Sequence, residues 1–162
     1  MDILLPFKSK FIPAIFNGTK RWEFRKTFFK KYQANDLIFI YVAHPIEKIV
    51  GYFKGTEILR ASPQELWIQC SDLSGLSEAD FFEYFHGKTE GCAIRIDELT
   101  IFPHRVDLNL LGLSRPPQLY SYVDSALRSR ILTLAHDPRK VRALVYFSEI
   151  LKKILPEESP PE

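Results

Sequence analysis

Within the stretch NGTKRWEFRK, residues 17–26, the part KRWEFRK alternates aromatic with charged side chains and therefore predicts a β-strand. Because successive side chains of a strand point to opposite faces, Trp22 and Phe24 share one face, which we expect to lie in the core. The other face carries Arg21, Glu23 and Arg25. This face places one carboxylate between two guanidinium groups, which predicts either an exposed ion pair without function or part of a binding site.

Basic residues are concentrated around this stretch. The chain of 162 residues has a formal net charge of only +2, but residues 8–31 contain eight Lys or Arg and a single acid, Glu23. This segment therefore has a net charge of +7, and the remainder of the chain has −5. Such asymmetry predicts either a surface for a polyanion or the ordinary solvated sides of strands and helices.

Length and composition favour one globular domain, since hydrophobic residues make up 46% of the chain and aromatic residues 14%. No apolar run approaches the roughly 18 residues of a membrane-spanning helix, and the N-terminus does not resemble a secretory signal, so no membrane association is expected. Cys70 and Cys92 lack metal-ligand spacing, which favours a reduced, cytoplasmic protein, with a disulfide as the alternative. No metal or cofactor is predicted, because the sequence contains no phosphate-binding loop and no His/Glu metal spacing.

The hydrophobic pattern predicts an α+β fold in which strands dominate the first part of the chain. Strands are predicted at residues 1–7, 20–26, 36–43, 49–61 and 91–102, and helices at 8–17, 62–70, 77–87, 127–135 and 137–155. Ser62 and Ser77 are expected to cap the helices that follow them, and Gly51 and Gly55 to bend the longest strand. A small mixed β-barrel flanked by helices is the natural compact arrangement of these elements.

The sequence divides into three predicted regions. We expect a compact domain at residues 1–120, a C-terminal helical extension at 121–155 and a disordered tail at 156–162. Residues 103–123 are expected to be rich in loops and to end the compact domain. The apolar face at residues 141–155 is expected to pack on the barrel, and self-association or contact with a protein partner are the alternatives.

The motif Gly18-x-Lys20-x-x-Glu23-x-Arg25, lying between an amphipathic helix and a strand, resembles the signature of the ASCH family, part of the PUA-like superfamily. The segments IFIYVAHP, KIVGYFKGTEI, SPQELW, FFEYFHGK, GCAIRI and RPPQ follow in the order of that family and extend the resemblance over roughly residues 1–120. The resemblance implies a PUA-like β-barrel of five or six strands with a cleft lined by Lys20, Glu23 and Arg25. It also implies binding of RNA or of a nucleotide or modified nucleoside.

The predicted site combines the motif with aromatic and polar residues elsewhere in the chain. The predicted ligand- or RNA-binding residues are Lys20, Arg21, Glu23, Arg25, Lys26, Tyr41, His44, Arg115 and Gln118. Basic side chains contact phosphates, a carboxylate accepts hydrogen bonds from a base amino group, and aromatic rings such as Tyr120 and Tyr122 stack on unpaired bases. Ordinary packing is the alternative for the tyrosines, an inert turn residue for His44, and a Pro-stiffened loop for Arg115 and Gln118.

Catalysis is the main alternative to binding, with Lys20 and Glu23 as candidate catalytic residues. Some ASCH proteins resemble small amidohydrolases acting on acetylated cytidine, or nucleases, in which a Lys pairs with a hydroxyl residue three positions later. Here that position is Glu23, which puts this mechanism in doubt. Neighbouring arginines should keep the carboxylate ionised, which favours binding over proton transfer. A protein-interaction module is the third hypothesis, favoured if the basic segment is dispersed around the fold.

Overall fold

The computed structural model describes residues 1–33 and 35–137 and confirms an α+β fold. The strands are β1 (Asp2–Phe7), β2 (Trp22–Arg25), β3 (Leu37–Val42), β4 (Lys48–Ala61), β5 (Gly91–Val106) and β6 (Ser121–Val123). The helices are α1 (Ile12–Phe16), α2 (Pro63–Cys70), α3 (Glu78–Tyr84) and α4 (Ser125–His136), with 3-10 turns at Ser9–Phe11, Ser71–Leu73 and Leu108–Leu111. The predicted apolar face at 141–155 and the tail at 156–162 lie outside the described residues.

The six strands form one mixed sheet in the order β2-β5-β4-β3-β1-β6, rather than the closed barrel predicted from the sequence. β1 and β3 are parallel, and the other neighbouring pairs are antiparallel. Within the described residues the short strands β2 and β6 are the two edges, and no ladder joins them. The expected bend of β4 is confirmed by register shifts near both glycines, and a Cβ at Gly51 would lie 2.3 Å from the Thr100 carbonyl oxygen.

Both faces of the sheet are covered, which explains the continuous apolar run of β3. Alternate residues of β1 enter two different clusters: Ile3 and Leu5 pack with α1, whereas Leu4 packs with α4. A third cluster joins β2 to α2 and α3, where the ring centroids of Phe24 and Phe81 are 4.9 Å apart. Trp22 and Phe24 are buried in this third cluster, so the prediction of a core face for these aromatics is confirmed.

The helix caps are also confirmed. The Ser62 side chain accepts a hydrogen bond from the Glu65 backbone N–H, and the Glu65 side chain accepts one from the Ser62 N–H, which completes a capping box at α2. The Ser77 side chain likewise accepts from the Asp80 N–H at the start of α3. No helix among the described residues is long and apolar enough to cross a bilayer.

The predicted loop at 103–123 is wrong in part, because β5 continues to Val106. Ile49 pairs with Val106 and Gly51 pairs with Ile101, so β5 carries extra residues at this point. Pro103 lies within this irregularity, where its missing N–H removes no ladder hydrogen bond. The division at residue 120 remains a prediction, but β6 pairs with β1 and α4 packs on the same sheet, so both join the core of the domain.

Candidate functional site

A cavity of about 340 Å³ lies between β2, the segment that follows β1, and α3. Its charged lining residues are the cations Lys8, Lys10, Lys20 and Arg25 and the acids Glu23, Asp80 and Glu83. Aromatic rings line the same cavity: Phe7, Phe11, Phe24 and Tyr84. The volume falls in the range of pockets that hold one small molecule, and the lining mixes apolar walls with a few polar groups, as such pockets do.

Lys20 is almost completely buried, with only 2% of its surface exposed. Its ammonium Nζ donates hydrogen bonds to the carbonyl oxygens of Trp22, at 2.6 Å, and Ser74, at 2.7 Å. The same Nζ lies 5.4 Å from the ring centroid of Phe11 and 5.3 Å from that of Phe24. Burial lowers the pKa of Lys20, while the Glu23 carboxylate opposes this shift and the Arg25 guanidinium adds to it.

The turn around Ser74 holds Lys20 in place. The Arg21 backbone N–H donates to the Leu73 carbonyl at 2.8 Å, which ties this turn to the start of β2. Gly75 has a φ of +66° and lies so close to Lys20 that a Cβ there would be 2.8 Å from the Lys20 Cβ. Glycine is therefore required at this position for two reasons: the backbone has a positive φ, and the Lys20 side chain leaves no room for a Cβ.

Glu23 and Arg25 form a second charged pair beside Lys20. Arg25 Nη2 lies 2.8 Å from Glu23 Oε1 in an ion pair and donates a hydrogen bond to the Pro6 carbonyl at 2.7 Å. The other carboxylate oxygen of Glu23 lies 4.0 Å from Lys20 Nζ, and only 8% of Glu23 is exposed. Glu23 is therefore the shared counter-charge of two cations at the floor of the cavity, rather than an exposed strand-edge ion pair.

The mouth of the cavity has two walls of opposite charge. Lys8 and Lys10 are exposed on one side and form what we term the basic wall. Asp80 and Glu83 are exposed on α3 and form the acidic wall. Tyr84 adjoins the acidic wall because residues three and four apart share one face of a helix.

The structure brings together three of the residues predicted for the site, Lys20, Glu23 and Arg25. Lys26 lies at the edge of the cavity, with its Nζ 4.7 Å from the ring centroid of Tyr84. Arg21 points elsewhere and pairs with Asp97 at 2.6 Å. The basic segment is therefore divided, with four of its cations lining the cavity and others elsewhere on the fold.

The remaining predicted residues do not line the cavity. Tyr41 is 3% exposed within the cluster that packs with α4, and burial raises its pKa. His44, Arg115 and Gln118 are exposed on other segments. Tyr120 and Tyr122 pack against each other, with ring centroids 5.4 Å apart, and both contact the cluster that packs with α1.

Sequence reasoning missed Phe7, Phe11 and the face of α3 that lines the cavity. The spacing of Asp80, Glu83 and Tyr84 was available as a signal, because it marks one helical face. Asp80 also accepts a hydrogen bond from the Ser77 hydroxyl at 2.8 Å, so the sequence pattern at this position indicates a helix cap and not a cavity wall.

The described residues contain no group of three or more His, Cys, Asp or Glu side chains arranged to hold a metal ion. Cys70 and Cys92 are free and buried, and burial raises the pKa of each thiol to about 11. Both cysteines therefore remain protonated thiols at neutral pH and are poor nucleophiles.

Solved structures similar to this chain include ASCH from Zymomonas mobilis, with a TM-score of 0.76 and 21% sequence identity, over 82% of this chain and 94% of that one. Two mutant forms of that protein match with a TM-score of 0.75, at 21% and 20% identity, over 82% of this chain and 95% and 97% of theirs. No protein-family model matches the sequence, and no curated protein matches it. At this identity the similarity establishes the fold alone.

Proposed function

We propose that this chain, whose fold is that of an ASCH domain, binds a nucleotide or one nucleotide unit of RNA in the cavity beside β2. The observation that carries the proposal is the cluster of buried Lys20, buried Glu23 and half-buried Arg25 at the floor of a cavity with aromatic walls. Burial of charged groups raises the free energy of the folded state through desolvation. A charged cluster that faces a cavity is therefore a candidate for ligand recognition.

The cavity supplies the three kinds of contact that a nucleotide needs. The rings of Phe11 and Tyr84 offer apolar surface against which a base can stack. The Glu23 carboxylate can accept a hydrogen bond from an exocyclic amino group of the base, as carboxylates do from cytosine. The basic wall of Lys8 and Lys10 is exposed at the mouth, where a phosphate would remain partly solvated.

The direct test is titration of the protein with ribonucleosides, their 5′-monophosphates and short single-stranded RNA at two salt concentrations. Binding that includes phosphate contacts weakens as salt rises. Lys8→Gln should weaken the binding of phosphate-containing ligands and reduce the salt dependence of their affinity. Lys88→Gln is the control, because it removes an exposed lysine that does not line the cavity, and it should change neither quantity. Absence of binding to every one of these ligands at both salt concentrations would refute the proposal.

A second pair of variants tests the stacking surface. Tyr84 is 36% exposed, so its replacement should leave the core intact. Because stacking of a base on an aromatic ring contributes about 1–3 kcal/mol, Tyr84→Ala should weaken binding by about 5- to 150-fold. Tyr84→Phe keeps the ring and should bind like the wild type; equal losses in both variants would mean that the hydroxyl, rather than stacking, matters.

Hydrolysis of a modified nucleoside is the second candidate function, supported by the lowered pKa of Lys20 beside a carboxylate in a cavity. A lysine of lowered pKa can transfer protons near neutral pH. Two backbone carbonyls already accept hydrogen bonds from this ammonium, so we rank binding first. Incubation with acylated cytidines separates the two functions, because product formation that disappears in Lys20→Met would favour the enzyme.

We place either activity in the cytoplasm, where buried thiols remain reduced.

A further inference from the structure

A second basic and aromatic surface lies next to the cavity, on the segment that follows β2. The Arg60 guanidinium carbon lies 3.2 Å from the ring centroid of Phe28, so the two groups are stacked. Two residues before Phe28, Lys26 lies over the Tyr84 ring. Arg60 and Lys26 are exposed, and Phe28 is half-buried. We call this surface, made of Lys26, Phe28 and Arg60, the stacking strip.

Strand register places the stacking strip beside the cavity. Arg25 on β2 pairs with Cys92 on β5, and Cys92 pairs with Arg60 on β4, so the three residues form one row across the sheet. Paired residues share a face, and neighbouring strands are about 5 Å apart, so the Cα atoms of Arg25 and Arg60 are about 10 Å apart. Between them, the Cys92 thiol donates to the Thr27 carbonyl at 3.5 Å, which holds the segment down on this row.

We infer that the stacking strip binds the nucleotides that flank the one held in the cavity, so that the ligand is single-stranded RNA rather than a free nucleotide. This inference rests on the proposed function. An arginine stacked on an aromatic ring presents its other planar face to a base while its N–H groups remain free for phosphate.

The charges around the mouth of the cavity determine on which side the RNA strand leaves it. The acidic wall of Asp80 and Glu83 repels phosphates on the α3 side. Lys26, beside Tyr84, and Arg60 attract phosphates. A strand held in the cavity is therefore drawn across the segment after β2 toward Arg60.

The test compares Arg60→Gln with Arg105→Gln, an exposed arginine near the far end of β5 whose replacement changes the net charge equally. The probes are the 5′-monophosphates of adenosine, cytidine and uridine and the matching octanucleotide RNAs. Arg60→Gln should leave monophosphate affinity within about twofold. It should weaken octanucleotide binding by at least about fivefold and reduce the salt slope by about 0.7, the value for one phosphate contact on a single strand. Arg105→Gln should change neither.

The outcomes separate this inference from the function on which it rests. Octanucleotides that bind the wild type no more tightly than monophosphates would overturn the stacking strip and leave the cavity proposal standing. Equal losses in Arg60→Gln and Arg105→Gln would also overturn the strip, because they would reflect net charge alone. Failure of both kinds of probe to bind the wild type would overturn the proposed function and this inference together.

Discussion

Replacement of Glu23 by Gln removes the negative charge shared by buried Lys20 and half-buried Arg25 while almost preserving the shape of the side chain. The Glu23 carboxylate lies 4.0 Å from Lys20 Nζ, a separation at which opposite charges attract by about 4 kcal/mol at an effective dielectric constant near 20. The ion pair with Arg25, at 2.8 Å, is also lost, although Arg25 keeps its hydrogen bond to the Pro6 carbonyl. Because Lys20 keeps its two carbonyl acceptors, we expect the free energy of unfolding to fall by about 3 kcal/mol at neutral pH.

The destabilisation should diminish as the pH rises. Burial lowers the folded-state pKa of Lys20 from the value of 10.5 expected for an exposed lysine, and Glu23 partly restores it. Glu23→Gln therefore lowers the folded-state pKa further. Between the folded and unfolded pKa values the unfolded chain binds more protons, so the penalty for burying the ammonium falls with increasing pH. The part of the difference in unfolding free energy between wild type and variant that is due to Lys20 is fully present below the folded-state pKa of Lys20 in the variant. It is lost above the folded-state pKa of Lys20 in the wild type.

Urea unfolding followed by tryptophan fluorescence, from about pH 6 to about pH 10, measures both effects. Glu98→Gln is the matched control, because Glu98 is exposed, pairs with Lys54 at the surface, and should contribute at most about 1 kcal/mol. Loss of less than about 1 kcal/mol in Glu23→Gln at neutral pH, or a loss that grows with pH, would refute this account of the buried charges.

Three further substitutions test the packing that forms the cavity. Gly75→Ala should destabilise the protein more than Gly87→Ala, since both positions have positive φ but only at Gly75 would the new Cβ meet Lys20; equal midpoints in urea unfolding would contradict this. Ser62→Ala should lower the free energy of unfolding by about 1 kcal/mol through loss of the α2 cap, measured by thermal and urea unfolding. Phe81→Ala should cost about 3–5 kcal/mol, because Phe81 is the fully buried residue of α3, and a loss below 1 kcal/mol in urea would show that neighbouring side chains fill the space left by the ring.

Local patterns predicted most of the secondary structure because their causes lie within a few residues. The alternation around Trp22 and Phe24 identified the core face of β2, and the serine caps identified the starts of α2 and α3. The length of β5 could not be predicted in this way. Whether Pro103 ends a strand depends on which residues of β4 lie opposite, and that register is set by distant pairing.

The candidate site was only partly predictable for the same reason. The motif brings Lys20, Glu23 and Arg25 together because all three lie within one short stretch. The burial of Lys20 depends on the Ser74 carbonyl, 54 residues away, and no local pattern specifies that contact. Arg21 shares a strand face with Glu23 in sequence, but Asp97 on β5 captures its guanidinium.

The distribution of charge also depended on tertiary structure. Sequence alone showed a basic segment with one acid, which predicted either a surface for a polyanion or ordinary solvated faces. The structure instead adds Asp80 and Glu83 from α3, so the mouth has walls of both signs. The net charge of a sequence segment therefore indicates that a charged site is present. It does not predict the electrostatic potential at that site, which depends on which helices and strands meet there.

The most direct test of the central claim is a titration of isotope-labelled protein with ribonucleoside 5′-monophosphates, followed by amide chemical shifts. The account predicts saturable shifts centred on the backbone of residues 20–25, on Phe11 and on Tyr84, all of which surround the cavity. Saturable shifts confined to the opposite face, around α4, or no shifts at any ligand concentration, would contradict the assignment of the cavity as the binding site.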